Sequence, residues 1–269
     1  MTPAPEKQLF VAPLFVPASR PDRFIKAAMS GADAVIIDLE DAVPPALKAE
    51  ARSNLAAALS LAVPAMVRIN ADSTEWHEAD LETIVSLGIR LVCVPKVEST
   101  GLLDRLASKL GPGVDVVAQI ETARGLENAA SIAAHRSVRQ LAFGPADFFL
   151  DMGMPVSRDM SGHVLRSLAI ASRAAGISKP LDGPCFAVAD PAALAAESAD
   201  AVAWGAGGKL CIHPTQTAKV LECFLPGPDE IAWARRVVAA DRDGSARIVD
   251  GRMIDAPVTA RARSVLARI

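Results

Sequence analysis

The feature that most limits the fold of this chain is an alternation of short apolar runs with longer segments of helical period. The runs are LFVAPLFV (9–16), AVIIDL (34–39), AMVRI (65–69), RLVCV (90–94), VDVVAQI (114–120) and RQLAFG (139–144), with weaker ones at KPLDGP (179–184) and GGKLCI (207–212). They favour β-branched or aromatic residues and are too short to hold a helix, as buried strands are. Between them lie helix-like stretches such as PDRFIKAAMS, PALKAEARSNLAAAL, EADLETIVSLG and GLLDRLASKLG. Gly31, Gly88, Gly111 and Gly176 fall where helices should stop. Eight strands alternating with helices predict the α/β class and a parallel (β/α)₈ TIM barrel. An open doubly wound sheet is the competitor, weakened because no GxGxxG follows the first strand. The barrel is assigned to residues 1–225 and a C-terminal helical extension to 226–269. That extension holds a helix (PDEIAWARRVVAA), a polar linker (DRDGSA) and a tail, RIVDGRMIDAPVTARARSVLARI. The tail reads as half turn and half amphipathic helix, which predicts that it packs on something.

Composition narrows the function classes. The 51% hydrophobic content of 269 residues suffices for one large core. A net charge of −3 offers no global basic field, so nucleic acid is not an expected partner, whereas a small anion needs only a local cluster of cations. Cys93, Cys185, Cys211 and Cys223 lack CxxC spacing and sit in apolar surroundings, which predicts buried free thiols and no zinc site. The segment MTPAPEKQ carries no apolar signal region, and no run approaches a span of about 18 apolar residues. A cytoplasmic protein with no membrane partner is expected.

In a barrel, polar residues just after the strands face the C-terminal mouth, where such enzymes work. Those positions hold Asp38-Leu39-Glu40-Asp41, Arg68-Ile69-Asn70, Lys96 and Glu98, Gln119-Ile120-Glu121, Asp147, Asp182, and Lys209 with His213. Carboxylates outnumber bases, and crowded charges are costly unless paired or bound to metal. Oxygen-only ligation by one or two carboxylates is the Mg²⁺ pattern, and Glu121 and Asp147 lie on neighbouring strands. Plainer readings stand beside this one. Asp147 and Asp41 fit helix N-caps. Arg68 fits a structural partner for Asp38 or Glu40, Lys96 a solvated loop residue, and His213 a structural histidine. Glu121 is harder to dismiss, because Glu caps poorly and this one follows an apolar run.

The segments LFVPASRPDRF, GADAVIIDLEDAVPPALKAEAR, VRIN, VPKVES, QIETARGLENA, LAFGPADF, GKLCIHPTQ and GRMIDAP run in order over nearly the whole chain. In them the chain resembles the citrate lyase β-subunit family, within the HpcH/HpaI-type aldolases. The resemblance implies a (β/α)₈ fold with Mg²⁺, or Mn²⁺ in its place, on Glu121 and Asp147. It implies that Arg68 contacts substrate oxygens and that Glu40 and Asp41 hold metal-bound waters. Arg20 and Lys26 would meet the phosphates of coenzyme A, and Lys96 is placed with them among the substrate-binding cations. Asp255, in GRMIDAP, would enter a neighbouring subunit's site as acid/base, so that 226–269 packs on that neighbour in a homotrimer or homohexamer.

The implied activity is carbon–carbon cleavage, or condensation, of a malyl-, citramalyl- or citryl-type acyl-CoA, giving a 2-oxo acid and an acyl-CoA. Three alternatives stand: an aldolase of free 2-oxo acids without CoA, a carrier-dependent citrate lyase subunit inactive alone, and thioester hydrolysis at the same site. No GxSxG nucleophile motif supports a separate hydrolase centre.

Overall fold

The computed structural model describes residues 10–241, 246–249 and 251–268. Each of the eight apolar runs overlaps a strand: β1 Leu14–Pro17, β2 Val35–Asp38, β3 Ala65–Arg68, β4 Leu91–Val94, β5 Asp115–Ile120, β6 Val138–Phe143, β7 Ser178–Asp182 and β8 Gly208–Lys209. They pair in chain order, all parallel. The ring closes between β8 and β1. Lys209 N donates to Val11 O at 2.8 Å, Cys211 N to Pro13 O at 2.9 Å, and Phe15 N to Cys211 O at 2.9 Å. The expected barrel is therefore the fold.

Helices follow the strands in turn: α1 Phe24–Ala28, α2 Lys48–Ser53, α3 His77–Leu87, α4 Thr100–Leu110, α5 Ala123–Glu127, α6 Ala129–Ala133, α7 Pro145–Asp151, α8 Arg158–Ala175, α9 Pro191–Ala203 and α10 Pro214–Phe224. Gly88 and Gly176 end α3 and α8 in the left-handed conformation, as their positions predict. The first strand begins later than its apolar run. Residues 11 and 12 instead donate their backbone N–H groups to the Asp33 carboxylate, at 2.5 and 2.9 Å. The polar N-terminal segment 1–8, Leu9 and most of the DRDGSA linker lie outside the described residues.

Inside the barrel, side chains from successive strands share one layer. Ile36, Met66, Cys93, Val117, Ala142 and Leu181 meet there with Phe10, Ala34 and Leu210. Because strand side chains alternate with period two, residues two and four positions further along face the same way. That rule lifts Asp38, Arg68, Gln119 and Glu121 from this greasy floor to the mouth.

The chain divides into two compact units near residue 223. The C-terminal one contains α11 Pro228–Ala240, an antiparallel hairpin of β9 Arg247–Val249 and β10 Arg252–Ile254, and α12 Ala256–Leu266. Ala234, Val237, Ile254, Ala262 and Val265 form its own small core. The turn expected in the tail is in fact this hairpin. Cys93, Cys185 and Cys211 are buried free thiols, while Cys223 is half-buried. Among the described residues no helix is long and apolar enough to cross a membrane.

Closure depends on Gly208, where a Cβ would stand 2.3 Å from the Val11 carbonyl oxygen and 2.6 Å from Val11 Cα. Backbone cannot yield as a side-chain tip can. Gly208→Ala is expected to destabilise the barrel by about 1–3 kcal/mol or more, read as a fall in the urea midpoint. An unchanged midpoint would show that the seam is not tight there.

Candidate active site

Asp38 and Arg68 are register partners on β2 and β3. Adjacent strands therefore present an acid and a base side by side, and the guanidinium grips the carboxylate with both forks. Arg68 Nε donates to Asp38 Oδ1 and Nη2 to Oδ2, each at 2.7 Å. Its remaining arm, Nη1, turns to Glu40 Oε2 at 3.0 Å and Asp41 Oδ2 at 3.5 Å. The Phe15 ring lies 4.6 Å beneath the guanidinium carbon. Burial works against the Arg68 charge, but the adjacent Asp38 carboxylate outweighs it and the group stays protonated. The structural reading of Arg68 as an acid's partner is thus what the geometry shows, with only Nη1 directed at further acids.

Glu121 follows β5, and its position is over-determined. Thr122 caps α5 by accepting from Gly125 N at 3.0 Å, which fixes the turn out of the strand. Gln119 Nε2 donates to Glu121 Oε1 at 3.1 Å, and the backbone N–H of Lys96 donates to Oε2 at 2.9 Å. Gly144 stands against the carboxylate: a Cβ there would lie 2.2 Å from Oε1. Only glycine leaves that space. Burial, then the nearby Glu40 charge, pushes the Glu121 carboxyl up to about 8.

Across from it, Gly144-Pro145 opens α7, and the buried Phe148 and Phe149 anchor that helix. Asp147 lies in the first turn with about a third of its side chain exposed. It is not the N-cap; Gly144 is. Lys96 is not a solvated loop residue either. Its ammonium donates to Glu40 Oε1 at 3.0 Å and lies 3.4 Å from Asp147 Oδ1 and 4.0 Å from Glu121 Oε2. Burial also raises the Glu40 carboxyl, against the pull of Arg68. Although Arg68 Nη1 is near, Glu40 Oε2 is buried without a hydrogen-bond partner of good geometry. Glu121 and Asp147 line a cavity of about 370 Å³, whose walls also include Phe15, Asp38, Asp41, Arg68 and the exposed Phe186.

Arg20 and Lys26 do not line that cavity. Arg20 is exposed and held at both forks by Asp22, at 2.9 and 2.8 Å. Lys26 is exposed on α1. Asp255 belongs to the C-terminal unit, where its Oδ1 accepts from Val258 N at 3.1 Å and caps α12. The capping reading, offered for Asp41 and Asp147, thus applies to Asp255 instead.

Lys48, which no sequence motif singles out, underpins the mouth from behind. Its buried ammonium donates to Leu39 O at 2.6 Å, Glu40 O at 2.8 Å and Asn70 Oδ1 at 2.6 Å, with the Trp76 ring 5.0 Å away. Asn70 is held in turn by Asp80, which accepts from its backbone and side-chain nitrogens at 2.9 and 2.6 Å. Nothing in PALKAEAR marks one lysine as buried, so no sequence signal pointed to it.

A family model for HpcH/HpaI aldolase/citrate lyase matches residues 12–214. A citrate lyase subunit beta-like protein from Mycobacterium tuberculosis is 38% identical over 263 residues, covering 95% of this chain and 94% of the relative. A (3S)-malyl-CoA thioesterase from Cereibacter sphaeroides is 34% identical over 270 residues, covering 96% and 94%. The crystal structure of CitE from Mycobacterium tuberculosis with magnesium, acetoacetate and coenzyme A superposes with a TM-score of 0.81 at 36% identity, covering 96% of this chain and 97% of that one. Fold and site define an α/β-barrel enzyme with an acid-rich mouth. More narrowly, the chain belongs to the HpcH/HpaI aldolase/citrate lyase family.

Removing Lys48 would strand two carbonyls and an amide oxygen without their donor. Lys48→Met is expected to cost roughly 3–5 kcal/mol, measured by urea denaturation. A loss below about 1 kcal/mol would mean that water replaces the ammonium freely.

Proposed function

We propose that this enzyme is a Mg²⁺-dependent lyase that breaks or forms a carbon–carbon bond in a 3-hydroxy-carboxy-acyl-CoA of the malyl, citramalyl or citryl type. The observation that carries the metal reading is Glu121, buried with both oxygens held, beside Asp147 and an unbonded oxygen of Glu40. The donors are all oxygen, which suits a hard cation. Among the described residues no three His, Cys, Asp or Glu groups form a ready cage. Mg²⁺ needs none, because it keeps waters and takes one or two carboxylates. Glu121 and Asp147 would hold the ion, with Glu40 and Asp41 bonding its waters; Mn²⁺ would fit the same donors. When bound, it would supply Lewis-acid polarisation of substrate oxygens.

The chain's own residues would do the rest. Arg68 Nη1, fixed in direction by Asp38, would exchange the exposed Asp41 carboxylate for the oxyanion that develops as the bond breaks, a contribution that grows toward the transition state. Phe15 and Phe186 would exclude water from the acyl group. Arg20 and Lys26 would meet the phosphates of coenzyme A, with Arg20 exchanging Asp22 for its ligand. The 3-hydroxyl would lose its proton to water in the mouth, and the C–C bond would break to a 2-oxo acid and an acyl-CoA enolate. Asp255 of a neighbouring subunit, in its protonated form, would return a proton to the enolate carbon. Two exposed apolar residues, Ile248 and Met253, are register partners on the hairpin just before Asp255 and support docking of this unit on a neighbour. A closed homotrimer or homohexamer fits an acid delivered in trans. The buried free thiols support a reducing, cytoplasmic setting. Similarity to a malyl-CoA thioesterase supports a second reading, in which water releases the acid from CoA at the same site.

A panel of these CoA esters, scored separately for 2-oxo acid and free CoA, tests the reaction. Lyase activity yields 2-oxo acid and acyl-CoA. Free CoA without 2-oxo acid would establish hydrolysis instead, and inertness toward every CoA ester would favour free 2-oxo acids.

Mg²⁺ titration by calorimetry tests the ligands. Glu121→Gln and Asp147→Ala should each weaken binding by about 100-fold or more, and Gly144→Ala, which displaces Glu121, by roughly tenfold. Unchanged affinity in Asp147→Ala would refute its assignment as a ligand.

Asp255→Ala should abolish turnover yet spare Mg²⁺ binding. Mixed oligomers of Asp255→Ala and Arg68→Ala chains should regain part of the activity. No recovery from verified mixtures would sink the trans assignment.

A further inference from the structure

At the mouth, Arg68 commits two nitrogens to Asp38 and turns its third to Glu40 and Asp41, whereas the Lys96 ammonium reaches Glu40, Glu121 and Asp147 together. Two features show that Lys96 is built into this position. It is the one non-glycine with a positive φ among the described residues, at 50°, in the left-handed region that L side chains rarely adopt. Its backbone N–H and side-chain ammonium also serve the same cluster: the N–H holds Glu121 Oε2 at 2.9 Å and the ammonium holds Glu40 Oε1 at 3.0 Å. The ammonium lies within 4.0 Å of oxygens from all three carboxylates, two of which are the proposed metal ligands.

We propose that Lys96 is an internal counter-cation that shares these carboxylates with the divalent ion and sets metal affinity by competing for them. This rests on the metal reading given above. Before the ion arrives, three half-buried or buried carboxylates repel one another, and the ammonium offsets that repulsion. When the ion binds, a unit positive charge this close opposes it, so Lys96 must give up Asp147 and Glu121 and retain only Glu40. Its main-chain bond to Glu121 is unaffected by the exchange. Lys96 is thus a positioning residue: it holds the acids in place for an ion whose affinity it moderates.

The test is Mn²⁺ titration of the substrate-free protein, followed by electron paramagnetic resonance, with wild type, Lys96→Met, Lys96→Gln and Glu121→Gln. Both Lys96 variants keep the backbone N–H, and both should bind Mn²⁺ more tightly by on the order of tenfold. Melting adds an independent readout. In EDTA the two variants should melt below wild type, and saturating Mg²⁺ should shrink or erase that difference. Unchanged or weaker Mn²⁺ binding in both variants, with wild type binding and Glu121→Gln not, would overturn the Lys96 role while leaving the metal site standing. A melting deficit of equal size with and without Mg²⁺ would also overturn it, as would variants that fail to fold in either buffer. If wild type itself binds no Mn²⁺, the metal reading falls and this inference with it.

Discussion

The buried pair of Asp38 and Arg68 is the interaction on which the barrel mouth depends. It links β2 to β3 at register-matched positions, with Asp38 1% and Arg68 8% exposed. A buried ion pair gains little net stability over a well-packed apolar pair, yet breaking one costs several kcal/mol, because the survivor is left charged in a poor solvent. Its value here lies in orientation. With Nε and Nη2 both committed to Asp38, rotation of the guanidinium is blocked, and Nη1 can point only where Glu40 and Asp41 lie. From behind, Lys48 pins the backbone that carries Glu40. The acid loop after β2 is therefore held on both sides.

Period two along the strands connects that pair to the core. Ile36 and Asp38, Met66 and Arg68, Val117 and Gln119 are each two residues apart on one strand, so one face supplies first an apolar layer and then a polar one. Burial of the lower layer sets strand register, and a slip of one residue would turn both layers outward. Core packing and site geometry are thus fixed by the same constraint. The seam between β8 and β1 completes it, since a gap there would let water reach the layer below the acids.

The strand runs and the glycine stops were legible because they follow from local periodicity and from left-handed geometry. The acids at strand ends were legible because a charge straight after an apolar run has few plain explanations; Glu121 is the clearest. What escaped depends on contacts distant in sequence. Lys48 meets Asn70 and the Leu39 carbonyl across α2 and β3, and no window around PALKAEAR contains those partners. Arg68 admits two readings, because spacing cannot tell a residue gripped by Asp38 from one free to meet a ligand. Capping, the plainer alternative for Asp147, does not hold there, since Asp147 sits inside α7, while Asp255 fits the rule and bonds Val258 N. The tail hairpin is hard to see although an Asp-Gly pair, a known hairpin signal, separates RIV from RMI, because three-residue runs fall below the length at which alternation shows.

Glu121 shows how such a site reaches a defined geometry through the neighbours that hold its two oxygens. Each oxygen accepts one hydrogen bond, from Gln119 and from the Lys96 backbone, and Gly144 clears the space it occupies. Gln119 can serve only if its amide nitrogen, rather than its oxygen, faces the carboxylate. The Cys93 thiol, 3.2 Å from Gln119 Oε1, is the donor that selects this orientation. Burial raises the Cys93 thiol well above its ordinary range, so it stays protonated and remains a donor. Serine could donate as well but would bring a more polar group into the apolar layer of Met66 and Val117. A thiol in the layer below the acids reconciles a greasy floor with a hydrogen-bonded roof, and the orientation of the buried carboxylate follows from it.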